Sequence, residues 1–308
     1  MSIKKEYNLI VIGGGPAGMA VAYSAFQAGV KDILLIERHH KLGGILNQCI
    51  HVGFGLHYFK KELTGTEYAA RYRKLLSNTD IEIKLSTFVT NVSPQKEVTF
   101  INRSDGVCVA RAQRLVLATG CRERTREMLT VPGFRPAGIF TAGLAQEMVN
   151  IYGLMPGKKI VVVGSGDIGL IMARRLTLEG SQVLAVLEIQ PQLSGLIRNK
   201  VQCLDDFNIP LYLEHELLEI LGKNRVEGIR YRDVKGQKEV YMKCDAVLFS
   251  VGLIPERDLL IDQEMTPSNE VRLAGNANYV HELVDHATKE SEKIGQEIAQ
   301  ELLGAKNV

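Results

Sequence analysis

Apolar residues along this chain collect in short runs that end abruptly at glycine. Asn8–Ile12 (NLIVI) is the first, and it runs straight into Gly13-Gly14-Gly15-Pro16-Ala17-Gly18. A short apolar run bounded by turn residues predicts a buried strand. Met19–Ala28 then carries small residues at helical spacing, Gly29 ends it, and a second apolar run, Ile33–Ile36, closes on Glu37. Strand, glycine loop, helix and strand make a βαβ unit. The pattern returns later. Lys159–Val163 (KIVVV) is the strand, Gly164-Ser165-Gly166-Asp167-Ile168-Gly169 the loop, Leu170–Leu178 the helix, Gly180 its stop, and Gln182–Leu187 the second strand, closing on Glu188. In both copies the acid follows the loop's first glycine by 24 residues.

Both loops fit G-x-G-x-x-G, and each glycine has its own physical reason. Gly13 and Gly164 allow the tight turn. Gly15 and Gly166 leave room for a pyrophosphate to approach the backbone. Gly18 and Gly169 let helix and strand pack closely. The phosphates would sit at a helix N-terminus, where free N–H groups and the helix dipole favour negative charge. Glu37 and Glu188 would accept hydrogen bonds from ribose hydroxyls. One such loop is weak, since it also occurs as a plain turn in α/β domains. Two of them with the same strand–helix context and the same acid offset point to two dinucleotides.

Further apolar runs set the domain plan. Arg114–Leu117 leads into Ala118-Thr119-Gly120, Ala246–Val251 ends at Gly252, and Glu270–Leu273 leads into Gly275-Asn276. His281–Leu303 has helical periodicity. The expected fold is α/β, with two Rossmann-like dinucleotide-binding domains, the second inserted into the first. The expected boundaries are 1–120 with 247–308 for the first domain and 121–246 for the second, both of ordinary domain size.

Composition narrows the field without changing it. The chain has 308 residues, 45% hydrophobic and 23% charged, the profile of a globular protein. A formal net charge of +2 gives no argument for nucleic acid or an anionic membrane. No apolar run is long enough to span a bilayer, and the first run reads as a strand rather than a signal peptide, so the expected location is the cytoplasm. The five cysteines, at positions 49, 108, 121, 203 and 244, contain no C-x-x-C spacing. That argues against a disulfide framework, a zinc site or an iron–sulfur cluster within the chain. Arg122, Arg124 and Arg126 cluster either as a solvated loop or as a docking patch for an acidic partner.

These features resemble the pyridine nucleotide–disulfide oxidoreductase superfamily in its short, thioredoxin-reductase-like form. The resemblance implies that the first loop binds FAD, with Gly13, Gly15, Pro16, Ala17, Gly18, Glu37 and Arg38. It implies that the second binds NAD(H), with Gly164, Gly166, Asp167, Ile168, Gly169, Glu188 and the turn at Gly252. Ala118-Thr119-Gly120 would adjoin the FAD, and Gly275-Asn276 stands where most members have Gly-Asp against the ribityl chain. An amide there keeps hydrogen bonding but loses the charge. The dithiol of the superfamily does not carry over: Thr141–Glu147 contains no cysteine, and Gly43–His51 contains only Cys49. The stretches GGILNQCIHVGFGLHYF, VLATGCRERTR, PAGIFTAGLAQ, GSGDIGLIMARRLTLEG and GNANYVHELVD are similar to non-disulfide flavoproteins that partner anaerobic glycerol-3-phosphate dehydrogenase, and to flavoprotein subunits of opine, proline and cyanide-forming glycine dehydrogenases. That similarity implies a subunit exchanging electrons between NADH and a second flavoprotein or iron–sulfur partner, as a homo- or hetero-oligomer.

Hydride transfer asks the protein for orientation and electrostatics rather than for acid–base groups. By the same resemblance, Gly44, Asn47 and the following residues to His51 lie beside the flavin ring, and the start of the last helix, around Val284, turns its positive dipole toward it. Cys49 then has two readings: a small packed residue, or a redox thiolate of a stand-alone NADH oxidase or peroxidase. His51 and His286 are candidate proton donors, with a structural hydrogen-bonding role as the alternative. His39 and His40 read as surface or stacking residues. Tyr58, Phe59, Tyr68 and Tyr72 read as a helix face packed on the core. A third possibility is a catalytically inert structural subunit.

Overall fold

In the computed structural model, which describes residues 6–304, the chain divides into two compact units. One draws on Met1–Arg122 and Pro255–Val308, the other on Glu123–Ile254.

The first unit is built on a seven-stranded sheet ordered Glu82–Lys84, Ile33–Ile36, Glu6–Ile12, Gly106–Leu117, Glu97–Asn102, Phe88–Val92, with Val271–Leu273 pairing on Gly106–Leu117. Ile33–Ile36 is buried at every position, and Glu6–Ile12 is fully buried from Leu9 onward, so both read as continuous apolar runs. They pair in parallel, Leu9 opposite Ile33 and Ile12 opposite Ile36. The twelve-residue strand Gly106–Leu117 does two jobs. Its first half pairs antiparallel with Glu97–Asn102, and its second half lies parallel to the first strand. Helices Pro16–Gln27 and Val284–Gly304 pack on each other and cover one face. Helix Gly65–Leu76 starts at a capping box, Thr64 accepting from the Glu67 amide while the Glu67 carboxylate takes the Thr64 amide. Tyr68 and Tyr72 lie on that helix, but Tyr58 and Phe59 lie in the turn before it, so the expected single helix face is instead a ring cluster across a turn. Its polar ends are tied to the last helix: Tyr68 donates to Thr288 at 2.8 Å and Tyr58 to Glu292.

The second unit holds a five-stranded parallel sheet ordered Ile139–Thr141, Ala246–Phe249, Lys159–Val163, Gln182–Glu188, Leu211–Leu213. Helices Ala142–Tyr152 and Asp167–Leu178 pack on one face, and an antiparallel sheet of His215–Leu221, Gly228–Asp233 and Glu239–Met242 packs on the other. Ala246–Phe249 sits inside this sheet, between two of its strands. The chain therefore returns to the first unit at Pro255 rather than at 247. A buried strand is apolar on both faces wherever it lies, so its sequence carries no mark of which sheet it joins. No helix of the described residues is long and apolar enough to cross a membrane.

Candidate functional site

The first glycine loop joins Glu6–Ile12 to Pro16–Gln27. Gly13 has φ +106°, and a Cβ there would lie 2.3 Å from the Ala118 carbonyl oxygen. A Cβ on Gly18 would lie 1.8 Å from the Gly13 oxygen, so that glycine fixes how closely helix and strand pack. Gly15 is different: a Cβ on it would meet only the Gly44 Cα, at 4.0 Å. The space in front of Gly15 is open, and a side chain would fill it. Gly15 is also the helix N-cap and supplies no side-chain cap, which leaves the first-turn amides to an outside acceptor.

Glu37 is buried, and its two oxygens accept from the amides of Gly14 at 2.7 Å and His39 at 2.8 Å. An ionised carboxylate has about four acceptor sites. Glu37 therefore braces the glycine loop and retains capacity for hydroxyl donors. Arg38, next to it, is exposed, as are His39 and His40.

Gly43 and Gly44 fold back onto the loop, the Gly43 amide donating to the Gly14 oxygen at 2.8 Å. Arg73 holds this turn, donating to Leu42 O at 2.9 Å and to Asn47 Oδ1 at 3.2 Å. Nothing local in the sequence marks Arg73, which arrives from helix Gly65–Leu76. Cys49 follows, 4% exposed, its thiol donating to Ile45 O at 3.3 Å. Burial pushes this thiol up to about 12. His51 is partly exposed, with Nδ1 3.1 Å from Val52 O and its ring against Phe54.

The C-terminal part of the unit closes on the same loop. Val271–Leu273 pairs parallel with Leu115–Leu117, and a Cβ on Gly275 would touch the Ala17 methyl at 2.5 Å. Asn276 Oδ1 accepts from the His281 amide at 3.0 Å, and its Nδ2 donates to Cys121 Sγ at 3.5 Å. Glu290 accepts from the Gly275 amide at 3.2 Å and from Asn278 Nδ2 at 2.9 Å. Burial holds the His281 imidazole below its usual range although Glu290 lies 3.2 Å away and opposes this. Thr119 donates to Glu256 O at 2.6 Å, and Glu256 donates its amide to Gly120 O at 2.9 Å. Val284 opens the last helix. Beside it Asp285, 3% exposed, takes the His57 amide at 2.8 Å. His57, Glu290 and Asp285 were not candidates from the sequence, because each matters through a partner distant along the chain.

The second loop repeats this architecture. Gly164 has φ +92°, and a Cβ there would lie 2.2 Å from the Ser250 oxygen. A Cβ on Gly169 would lie 2.7 Å from the Ser250 Cβ, and the Ser250 hydroxyl accepts from the Gly169 amide at 3.1 Å. Gly252, at φ +109°, follows that strand. Asp167 and Ile168 begin helix Asp167–Leu178, which is N-capped by Gly166 without a side-chain bond. Glu188 is 5% exposed and takes four donors: Ser165 N, Ser165 Oγ, Ser194 Oγ and Gln190 N. Burial alone would raise its carboxyl, but these bonds outweigh it and hold the group below the usual carboxylate range.

The arginine cluster divides. Arg122 pairs with Glu256 at 2.8 Å and Asp258 at 3.0 Å. Arg126 is 4% exposed and donates to the carbonyls of Val131, Pro132, Gly133 and Phe134. Both bond inside their own units, while the third arginine, Arg124, is exposed.

A family model for pyridine nucleotide-disulphide oxidoreductases matches residues 7–277, most of the chain. The chain belongs to that family. As a pyridine nucleotide-disulphide oxidoreductase it is an FAD- and NAD(P)H-dependent enzyme. It is 24% identical over 277 residues to an alkyl hydroperoxide reductase subunit of Staphylococcus aureus (strain MRSA252), covering 89% of this chain and 52% of that protein. It is 26% identical over 280 residues to an opine oxidase subunit of Agrobacterium tumefaciens (strain Ach5), covering 82% and 54%. The chain thus spans about half the length of these curated relatives. Thioredoxin reductase of T. acidophilum has the same two-domain fold, with TM-score 0.79 at 19% identity over 97% of this chain and 100% of that one. The residues of both loops fit the family's cofactors: each offers a helix N-terminus without a side-chain cap, and a buried acid at the end of the second strand.

Proposed function

We propose that the first unit binds FAD, the second binds NAD(H), and the chain passes electrons from NADH to a partner redox protein, a second flavoprotein or an iron–sulfur protein. The observation that carries this reading is the pairing of two intact dinucleotide cradles with a lone, buried Cys49 where a disulfide-reducing enzyme would need two thiols. When bound, the flavin and nicotinamide supply the hydride chemistry. The chain's own residues bind and orient. Gly13–Gly18 and Glu37 take the adenine half of FAD, and Ala118-Thr119-Gly120 with Gly275-Asn276 flank the remainder. Gly164–Gly169 and Glu188 take the nicotinamide nucleotide. Glu188 favours NADH: its Oε1 carries one donor, the Gln190 amide, and can accept another from a ribose hydroxyl, whereas a 2′-phosphate would meet a buried anion.

The peroxidase reading of Cys49 is weakened by the thiol's burial, since the thiolate is the nucleophile. Five free cysteines suit a reducing compartment, and we place the chain in the cytoplasm on that ground. Anaerobic titration tests the function. The purified chain should be yellow, bleach with NADH, bleach much more slowly with NADPH, and pass electrons to an acceptor dye. A colourless chain that takes up no FAD, or a yellow one indifferent to NADH, overturns the reading.

A further inference from the structure

The two loops are copies at a constant offset. Gly13, Gly15, Gly18 and Glu37 recur 151 residues later as Gly164, Gly166, Gly169 and Glu188. The internal bonds recur with them. Gly13 N reaches Ile36 O at 2.8 Å, and Gly164 N reaches Leu187 O at 2.7 Å. Gly14 N reaches Glu37 at 2.7 Å, and Ser165 N reaches Glu188 at 2.9 Å. The same offset carries Gly43-Gly44 onto Ser194-Gly195, a segment without any recognised motif. It too folds back: the Gly195 amide donates to Ser165 O at 2.9 Å. A Cβ on Gly195 would lie 2.9 Å from Ser165 O and 3.1 Å from the Asp167 amide nitrogen. The backbone at Gly195 therefore runs against the start of helix Asp167–Leu178, and only glycine allows that approach.

We propose that Ser194–Asn199 forms the second wall of the nicotinamide-nucleotide pyrophosphate site, and that Asp167 is the positioning residue that latches it. The inference rests on the reading that the second loop binds NAD(H). The first unit ties its wall mainly through backbone, with Arg73 behind it. The second ties its wall through side chains facing the loop. Ser194 donates its amide to Ser165 Oγ at 2.9 Å and its hydroxyl to Glu188 at 2.9 Å. Asp167 Oδ1 accepts from the Leu196 amide at 2.8 Å and from Asn199 Nδ2 at 2.7 Å. Asp167 is thus saturated by the wall on one oxygen while standing at the first position of a twelve-residue helix.

That placement has a consequence for affinity. The positive end of the helix attracts the Asp167 carboxylate and an incoming pyrophosphate alike. The two anions repel, so Asp167 weakens nucleotide binding while it fixes the wall. Asp167→Asn keeps an oxygen for Leu196 and Asn199 and removes the charge. Gly195→Val keeps the charge and forces the wall off the loop.

Calorimetric titration of the FAD-loaded chain with NAD+ tests both, with hydrogen exchange of the 194–196 amides as a second readout. Asp167→Asn should bind NAD+ about two- to five-fold tighter, the range of a charge at a helix end. Gly195→Val should bind at least about tenfold more weakly, with FAD content and the melting transition reporting that the chain has folded. In the parent chain, NAD+ should slow exchange at 194–196. Parent-like affinity in Asp167→Asn together with unchanged exchange at 194–196 would overturn the proposal, whatever Gly195→Val does. If the parent chain binds no NAD+, the reading beneath it falls as well, so the two failures are told apart by the parent alone.

Discussion

Cys49 and Glu188 are both buried groups beside a glycine loop, and their surroundings push them in opposite directions. The Cys49 thiol donates to the Ile45 carbonyl, and burial raises it to about 12. Burial thus disfavours its thiolate and closes the sulfur to reagents. Iodoacetamide at pH 8 should label Cys49 at least about a hundredfold more slowly in the native chain than in urea, read by peptide mass spectrometry. Cys49→Ser should leave NADH reduction of the flavin within about a factor of ten, ~1.4 kcal/mol in barrier. Glu188 is the reverse case. Burial disfavours its charge, but four donors outweigh that, so the folded chain holds it below its unfolded value. Its stabilisation is full above the unfolded carboxylate value and is lost as pH falls through the folded one. Glu188→Gln should lower stability at pH 7 by about 1–3 kcal/mol, since an amide NH2 would face bound donors. In paired thermal melts the deficit should hold down to the unfolded carboxylate value, about 4.3, and shrink only below it, and a gap constant with pH would refute the electrostatic origin. The two acids were legible from the sequence as strand-end carboxylates at a fixed offset. Their bonds to Gly14 and Ser165 were not, because an acid's role as brace or ribose acceptor depends on loop geometry that spacing alone does not give.

At the scale of elements, the glycine loops separate packing from binding. Gly18 and Gly15 belong to one motif yet differ in what a methyl would meet: a backbone oxygen at 1.8 Å for Gly18, and open space to 4.0 Å for Gly15. Gly18→Ala should destabilise the FAD-free chain at the upper end of about 1–3 kcal/mol, because the helix must leave its strand. Gly15→Ala, at φ −71°, should leave the FAD-free melt within about 1 kcal/mol and lower flavin content per chain several-fold. Equal losses of apoprotein stability would show that both glycines serve packing only. The strands around each loop were readable because full burial makes them uninterrupted apolar runs. The meander of Phe88–Val92, Glu97–Asn102 and the part of Gly106–Leu117 before Arg114 carries a different pattern. Its residues alternate between a buried and an exposed face, Cys108 and Ala110 inward, Val107 and Val109 outward, so no apolar run announces it. Ala246–Phe249 shows the complementary difficulty: its apolar run gives the strand away but not the sheet it belongs to.

The whole molecule joins the fold of the pyridine nucleotide-disulphide oxidoreductases to five cysteines without a C-x-x-C spacing. None of the five cysteines is in a disulfide; four of them are buried, and Cys121, the fifth, is only partly exposed and accepts from Asn276. Reduction of a substrate disulfide needs a nucleophilic thiolate and a second thiol to resolve the mixed disulfide. Two cysteines can exchange electrons only if their Cα atoms come within about 7 Å. Cys49 has no cysteine near it in its loop, and burial raises its thiol, which disfavours the thiolate, so neither half of that requirement is met there. On the proposed function, electrons that reach the flavin leave it directly for an acceptor. With NADH as donor, the chain by itself should reduce an artificial dye readily. It should reduce a soluble aromatic disulfide no faster than a chain with all five cysteines replaced by serine. The comparison uses stopped-flow flavin reduction to confirm that both proteins accept hydride. Disulfide turnover that disappears in the cysteine-free chain would mean that a thiol path exists, and the direct electron-transfer reading would have to give way to it.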